Sequence, residues 1–336
     1  MKTFDVITIG NAVVDLFLVI HDANASMRVD KELNELCVKA GEKIEVDRCD
    51  VMLGGNAANA AVGLARNGFI VGLAAEIGDD EFAQKIEHIL QQETVDTTLL
   101  KKTENAASSM TVGINFQNER TLFVEHVKRE HHFNFDNFDT KWVYLTSLGN
   151  EWKVPYERVV RYVKKTGARL AFNPGTLQVQ ARYEEIKNAM QTADILFLNK
   201  EEGAKIFNFQ FSIFNENGKE AIKNLLKKLQ QAGPKVVVIT DGENGSYAID
   251  EEGKIWFLDV FPATVVEKTG AGDAFASGFM SAILAGESVQ QAMCWGAANS
   301  AAVIERIGAQ QGLLSREKIE EKLKKADYLA RYCQTG

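Results

Sequence analysis

No stretch of this sequence approaches the roughly 18 uninterrupted apolar residues needed to span a bilayer, so no membrane-crossing segment is expected. The first residues run directly into an apolar, strand-like segment, 4–9, without the basic region, long apolar core and small-residue cleavage site of a secretion signal, and a cytoplasmic location is the expectation. Cysteine is scarce and scattered. Cys37, Cys49, Cys294 and Cys333 make no CxxC spacing, which argues against a zinc site or a disulfide framework and leaves reduced thiols in the core or on the surface. The five histidines, including the neighbours His131 and His132, form no ligand constellation and read as surface or lid residues. Long basic runs are missing, and 38 basic against 46 acidic side chains give a formal charge of −8, so binding to nucleic acid would lack its usual electrostatic source. A small anionic ligand, neutralised locally, remains compatible with that balance. Internal repeats, low-complexity tracts and long linkers are absent as well. The length fits one large α/β domain with a smaller subdomain, expected over residues 1–330.

What is present alternates. β-branched or apolar runs at 5–10, 142–146, 169–172, 195–198 and 236–240 are interleaved with helically spaced apolar residues at 82–90, 158–165, 221–229 and 275–284. Such alternation predicts an α/β fold with a doubly wound, mostly parallel sheet flanked by helices. Two regions break the pattern, about 11–51 and 108–128. In the second, Met110, Val112, Ile114 and Phe116 keep a two-residue period that predicts a β-hairpin with Gln117, Asn118, Glu119 and Arg120 as its turn. Both breaks are assigned to a small β-sheet lid subdomain able to close over a site. The charged segment 316–325 reads as a solvated terminal helix, docked through Ile319 and Leu323.

Two segments carry chemistry. In Lys268-Thr269-Gly270-Ala271-Gly272-Asp273-Ala274-Phe275, a strand-like run ending near Val266 gives way to a helix containing Phe275, Phe279 and Ile283. Small residues there leave backbone N–H groups unobstructed at a helix start, where the first donors are unpaired and the dipole favours an anion such as phosphate. Asp273 taken alone would also serve as an ordinary helix cap. A dinucleotide-binding GxGxxG is excluded because the sixth position is Phe275, and a GxxxxGK[ST] loop is absent. The second segment, Leu53-Gly54-Gly55-Asn56-Ala57-Ala58-Asn59-Ala60-Ala61, leads a double glycine into a helix of very small residues. It either lets that helix pack closely on the sheet or places its two asparagines against a polar ligand such as substrate hydroxyls.

Together, and in this order, the segments resemble the two signatures of the ribokinase-like carbohydrate kinase family, the PfkB family, which includes ribokinase, fructokinases and adenosine kinase. The matching residues are Gly54, Gly55 and Asn59 of Gly-Gly-x-x-x-Asn, and 269–273 of Thr-Gly-Ala-Gly-Asp. The resemblance covers nearly the whole chain and implies a ribokinase-like fold with ATP and Mg²⁺ as cofactors. By that resemblance Asp273 is the catalytic base, and Gly270, Ala271 and Gly272 form an anion hole. Asn11 and Asp15, after the first strand, would bind substrate hydroxyls with Gly54, Gly55 and Asn59, although a strand-end aspartate can also simply cap a turn. Asn199 and Glu202 match an Asn-x-x-Glu motif that organises phosphate and, through water, the metal; the same residues fit an ordinary polar helix start. Thr240, Gly242 and Gly245 would touch ATP, and Asn299 and Gly308-Ala309 would flank the adenine. Members that respond to a monovalent cation often carry Asp-Thr-Thr where this chain has Glu267-Lys268-Thr269, which leaves potassium activation open.

The implied reaction is transfer of the γ-phosphate of ATP to a hydroxymethyl group of a sugar, with an adenosine-type nucleoside as the alternative acceptor. Phe17, Phe116 and Phe123 on the lid would stack on a base, fill a lid core, or join two lids in a homodimer. A noncatalytic sugar- or nucleotide-binding protein is the alternative of another class, and the intact 269–273 stretch argues against it.

Overall fold

The apolar runs become strands buried on both faces, as parallel strands covered by helices must be. The computed structural model describes residues 2–33, 35–117, 119–125, 127–135, 138–209, 218–326 and 333–335. Its main sheet has nine strands. Pairing is parallel from Val71–Ala74 through Lys2–Ile9, Phe138–Leu145, Arg169–Phe172 and Ile195–Asn199 to Val236–Thr240. An antiparallel edge of Ser246–Ile249, Ile255–Leu258 and Cys333–Thr335 completes it. Successive side chains point to opposite faces of the sheet. Val6, Ala171 and Val238 therefore join one core with the helices Asn56–Arg66, Ala271–Leu284 and Val289–Val303. Ile7, Leu170 and Val237 join a second core with Lys153–Thr166, Arg182–Thr192 and Gly218–Gln231. The expected doubly wound architecture is present, and Ile319 and Leu323 dock the terminal helix Arg316–Ala326 on the first core.

Lys2–Ile9 has its next parallel neighbour in the chain, Val71–Ala74, on one side and Phe138–Leu145 on the other. The direction of winding reverses there. In open α/β sheets a crevice forms beyond the carboxyl ends of the strands at such a point, and ligands bind in it.

The two irregular regions assemble into a separate four-stranded sheet, ordered Glu119–Glu125, Met110–Phe116, Val13–Val19, Arg48–Gly54, with a small pair Met27–Asp30 and Glu35–Val38 beside it. The hairpin is tighter than expected. Glu119 pairs with Phe116 and Arg120 with Asn115, so both belong to the strand rather than the turn, while Asn118 lies outside the described residues. Of the uses left open for the lid aromatics, filling the lid core is the one Phe116 takes. Phe116 fills the lid's own core with Ile20 and Met27, and Phe17 is equally buried, which leaves Phe123 exposed on the edge strand. His131 is not a surface residue. Its backbone N–H donates to Glu76 at 2.7 Å, its ring packs 5.8 Å from Phe133, and burial pushes its imidazole down to about 4, so it stays neutral. His132 is exposed as expected. Cys37, Cys49 and Cys294 make no disulfide among the described residues, and the side chain of Cys333 lies outside them. No helix among the described residues is long and apolar enough to cross a membrane.

Candidate active site

The helix Ala271–Leu284 starts at Gly270, whose φ of 75° is left-handed and whose added Cβ would lie 2.4 Å from the Cβ of Ala309. Glycine alone meets both demands. No side chain among the described residues caps this helix, and apart from a long 3.4 Å bond from Ala271 N to the Lys268 carbonyl its first backbone donors are left for a ligand. Three spaces converge here. A cavity of about 400 Å³ under the lid, one of about 160 Å³ beside Thr240 and Gly245, and one of about 120 Å³ beside Asn199 and Glu202 are all lined by Gly272.

Asp273, in the first turn, does not cap the helix. Its carboxylate is buried between the first and third of these spaces and accepts a 2.8 Å hydrogen bond from Asn59 Nδ2. Burial pushes its carboxyl up to about 7; the Asn59 bond pulls it down, and the nearby Glu202 and Asp15 push it further up. A group balanced near neutrality can take a proton in one step and release it in the next.

Asn59 reaches Asp273 because the helix Asn56–Arg66 is walled by Ala57, Ala58, Ala60 and Ala61, all buried, which lets it pack against Ala271–Leu284. Its carbonyl oxygen accepts from Gln310 Nε2 at 2.9 Å. Asn59 is thus engaged at both ends by protein and holds the carboxylate, where substrate hydroxyls were expected as its partners. Asn59→Ala is expected to move the acidic limb of the kcat/KM profile above its starting point of about pH 7, because the interaction favouring the ionised form is lost. A pH–rate profile measured on both proteins checks this, and an unmoved limb would contradict it.

Asp15 lies within the lid strand Val13–Val19, not at a turn. It is paired in register with Thr111, and burial pushes its carboxyl up to about 6 against the pull of the Thr111 hydroxyl; Glu267 adds an upward push and Arg120 a downward one. Gly54 makes room for it, since an added Cβ would lie 2.0 Å from Asp15 Oδ2. Gly55 lines the large cavity with Asn11, whose Nδ2 donates to Ser147 Oγ at 3.4 Å.

On the opposite side, Thr240, Gly242 and Gly245 line the 160 Å³ space with Phe275 and Ala301. Asn299 does not reach it. Helical periodicity turns residue 299 inward, where its Nδ2 donates to the Ala274 carbonyl at 2.8 Å and its Oδ1 accepts from Leu314 N at 2.9 Å; Ala297, Ser300, Ala301 and Ile304 face the space instead. Gly308 and Ala309 pack beside Glu267 and Gly270 and do not line that space either. Asn199 and Glu202 form a capping box, with Asn199 Oδ1 accepting from Glu202 N at 2.8 Å and Glu202 Oε2 from Asn199 N at 2.9 Å. Both nevertheless line the 120 Å³ space with Asp273, and burial raises the Glu202 carboxyl. Asn56, the other asparagine of the double-glycine segment, does line the first and third spaces, while sequence reasoning left out Thr111, Arg120 and Asn173, which also line these spaces, and Gln310 behind Asn59. The alternation of Arg120, Leu122 and Val124 along one lid strand would have flagged the first cation on the cleft side.

A family model described as pfkB family carbohydrate kinase matches residues 17–316. Among curated proteins the chain is similar to a 5-dehydro-2-deoxygluconokinase of Clostridium perfringens, 26% identical over 81% of this chain and 84% of that one. It is also similar to a nucleoside kinase of Methanocaldococcus jannaschii, 25% identical over 84% and 89% of the two chains. Among solved structures, an Arabidopsis thaliana ribokinase complexed with ribose and ATP superposes with a TM-score of 0.75 at 19% identity, covering 96% of this chain and 99% of that one, which speaks for the fold.

Proposed function

This chain belongs to the pfkB family of carbohydrate kinases, sugar or nucleoside kinases, and from that premise we propose that it transfers the γ-phosphoryl group of ATP to a hydroxymethyl group of a sugar, with Asp273 as general base. The observation that carries the reading is the buried Asp273 carboxylate at the junction of the spaces, one turn from unpaired main-chain donors.

In this reading Asp15 and Asn11 hold the acceptor's hydroxyls in the larger space, which sets one alcohol beside Asp273. Asp273 accepts that alcohol's proton as its oxygen attacks the γ-phosphorus, and the β–γ bridging oxygen leaves with ADP. The N–H groups at 270–272 face the equatorial oxygens, where charge must be stabilised during phosphoryl transfer. Thr240, Gly242 and Gly245 would flank the nucleotide. Among the described residues no three His, Cys, Asp or Glu side chains converge as a metal cage. Glu202, with Asn199 beside it, is the carboxylate available in the 120 Å³ space apart from Asp273, and that donor set fits Mg²⁺, which keeps most of its waters and binds through phosphates and one or two carboxylates. The ion would supply charge neutralisation on the triphosphate.

A nucleoside acceptor is the second reading. Phe17 lines the larger space and supports this reading, while the burial of Phe116 in the lid core removes another part of the aromatic platform a nucleoside would use. ADP release measured over a panel of neutral sugars, sugar acids and nucleosides tests both. Turnover on sugars is expected; tight ATP binding with no turnover on any acceptor would favour a noncatalytic binding protein.

A further inference from the structure

Directly before the anion hole sits a carboxylate that the chemistry does not use. Glu267 is 7% exposed, and donors from three separate parts of the chain converge on it. Arg120 Nη1, on the lid strand Glu119–Glu125, donates to Oε1 at 2.7 Å; the hydroxyl of Thr269 donates to the same oxygen; and the backbone N–H of Gly308 donates to Oε2 at 2.8 Å. Thr269 is covalently next to Gly270, and Ala309 packs where a Cβ on Gly270 would lie. The two oxygens of Glu267 therefore tie together the two loops that shape the start of the 271–284 helix. Arg120 provides the positive charge that a buried carboxylate requires.

The lid supplies that charge from the cleft side of its edge strand. Arg120 lines the acceptor cavity with Leu122 and Val124, and it also lines a neighbouring space of about 500 Å³ between the lid tip and residues 265–268. The ion pair is thus part of the wall between the two spaces and a direct side-chain link from lid to anion hole.

We propose that Arg120 and Glu267 form a latch through which the closed lid positions the anion hole, Arg120 acting as a positioning residue through Glu267 without touching the transferred group. With the lid displaced, Glu267 keeps its two neutral donors and loses its charged one, and the loop 267–270 relaxes, taking the N–H groups at 270–272 out of line. The phosphoryl site is then complete only when the lid covers the acceptor, which disfavours attack by water on bound ATP. The proposal rests on the kinase reading for the identity of the reaction, and on the hydrogen bonds alone for the coupling.

Arg120→Met keeps the length of the stem and removes the guanidinium. Its kcat is expected to fall by about 10²-fold, the usual cost of a small misplacement of catalytic groups, with KM for ATP within about threefold of wild type. Arg120→Lys should fall between, and guanidinium ion added to Arg120→Ala should restore part of kcat, which a loss of general packing would not allow. Glu267→Gln should cost a similar factor, and the double variant Arg120→Met/Glu267→Gln no more than either alone, because two residues acting through one another are not additive. Additive losses, an unchanged kcat, or a rise confined to KM for the acceptor would overturn the latch. Hydrogen exchange over residues 267–273 of the apo protein gives a readout independent of turnover. Faster exchange in Arg120→Met at unchanged Tm supports the latch, and unchanged exchange contradicts it. A wild-type protein inactive on every acceptor would sink the kinase assignment while leaving that exchange measurement to decide the latch.

Discussion

Asp273→Asn is expected to lower kcat by about 10²–10⁴-fold, the range a positioned general base contributes, while the dissociation constant for ATP measured by calorimetry stays close to wild type. The amide is nearly isosteric and its oxygen can still accept from Asn59 Nδ2, so the helix start and its backbone donors keep their places. What disappears is the ability to take a proton. The wild-type kcat/KM is expected to rise with pH through about 7, because the raised carboxyl is protonated below that value and cannot act as a base. In the variant that limb is absent from the residual activity. A kcat within tenfold of wild type, or an acidic limb that survives the substitution, would remove Asp273 from its assigned role.

The same substitution has a consequence for stability of opposite sign. The Asp273 carboxyl ordinarily ionises at 3.8 and in the fold at about 7, so the folded chain holds a proton that the unfolded chain releases between those values. Stability from this group is fully present below about pH 4 and is lost as the pH rises to 7. Asparagine carries no such penalty, so Asp273→Asn should melt at a higher temperature than wild type at pH 8 and show no such gain at pH 4. Active-site groups held in costly environments commonly behave this way.

The layers of the fold were legible because each parallel strand is a short apolar run and each intervening helix shows its own spacing. Residues 169–172 and 236–240 became strands with those bounds. The lid was legible from the two-residue period of Met110 to Phe116, yet Glu119 and Arg120 looked like turn residues since polarity marks turns and lid strands alike. The antiparallel edge strands at 246–249 and 255–258 are too short to stand out from turn-rich surroundings. For the site, the types of residue were readable and their partners were not. Asn59 and Asp273 are 214 positions apart, and no local pattern announces that one holds the other. Asn199 and Glu202 show a different limit, because a helix cap and a cleft lining use the same local geometry. Asn299 failed for want of helix phase, one position short of Ser300, which does face the 160 Å³ space.

Gly54→Ala is expected to raise KM for the acceptor by at least about 100-fold, because Asp15 would lose charge-assisted hydrogen bonds worth about 1.5–3 kcal/mol each. The argument is steric. Gly54 sits opposite Val13 at the end of the strand Arg48–Gly54, and its new Cβ would fall 2.0 Å from Asp15 Oδ2 and 2.4 Å from Asp15 Cγ. Those atoms are the free end of a side chain, so Asp15 can rotate away at little cost to the backbone pairing of the two strands. Tm should therefore change little while acceptor binding collapses, and KM for ATP, whose proposed site lies across Gly272, should hold. Asp15→Ala should reproduce the loss by itself. Adding Gly54→Ala to it should cost nothing further, since there is no longer a carboxylate to displace. If the double variant is much worse than Asp15→Ala, the double-glycine segment serves the acceptor site in some way other than by making room for that carboxylate.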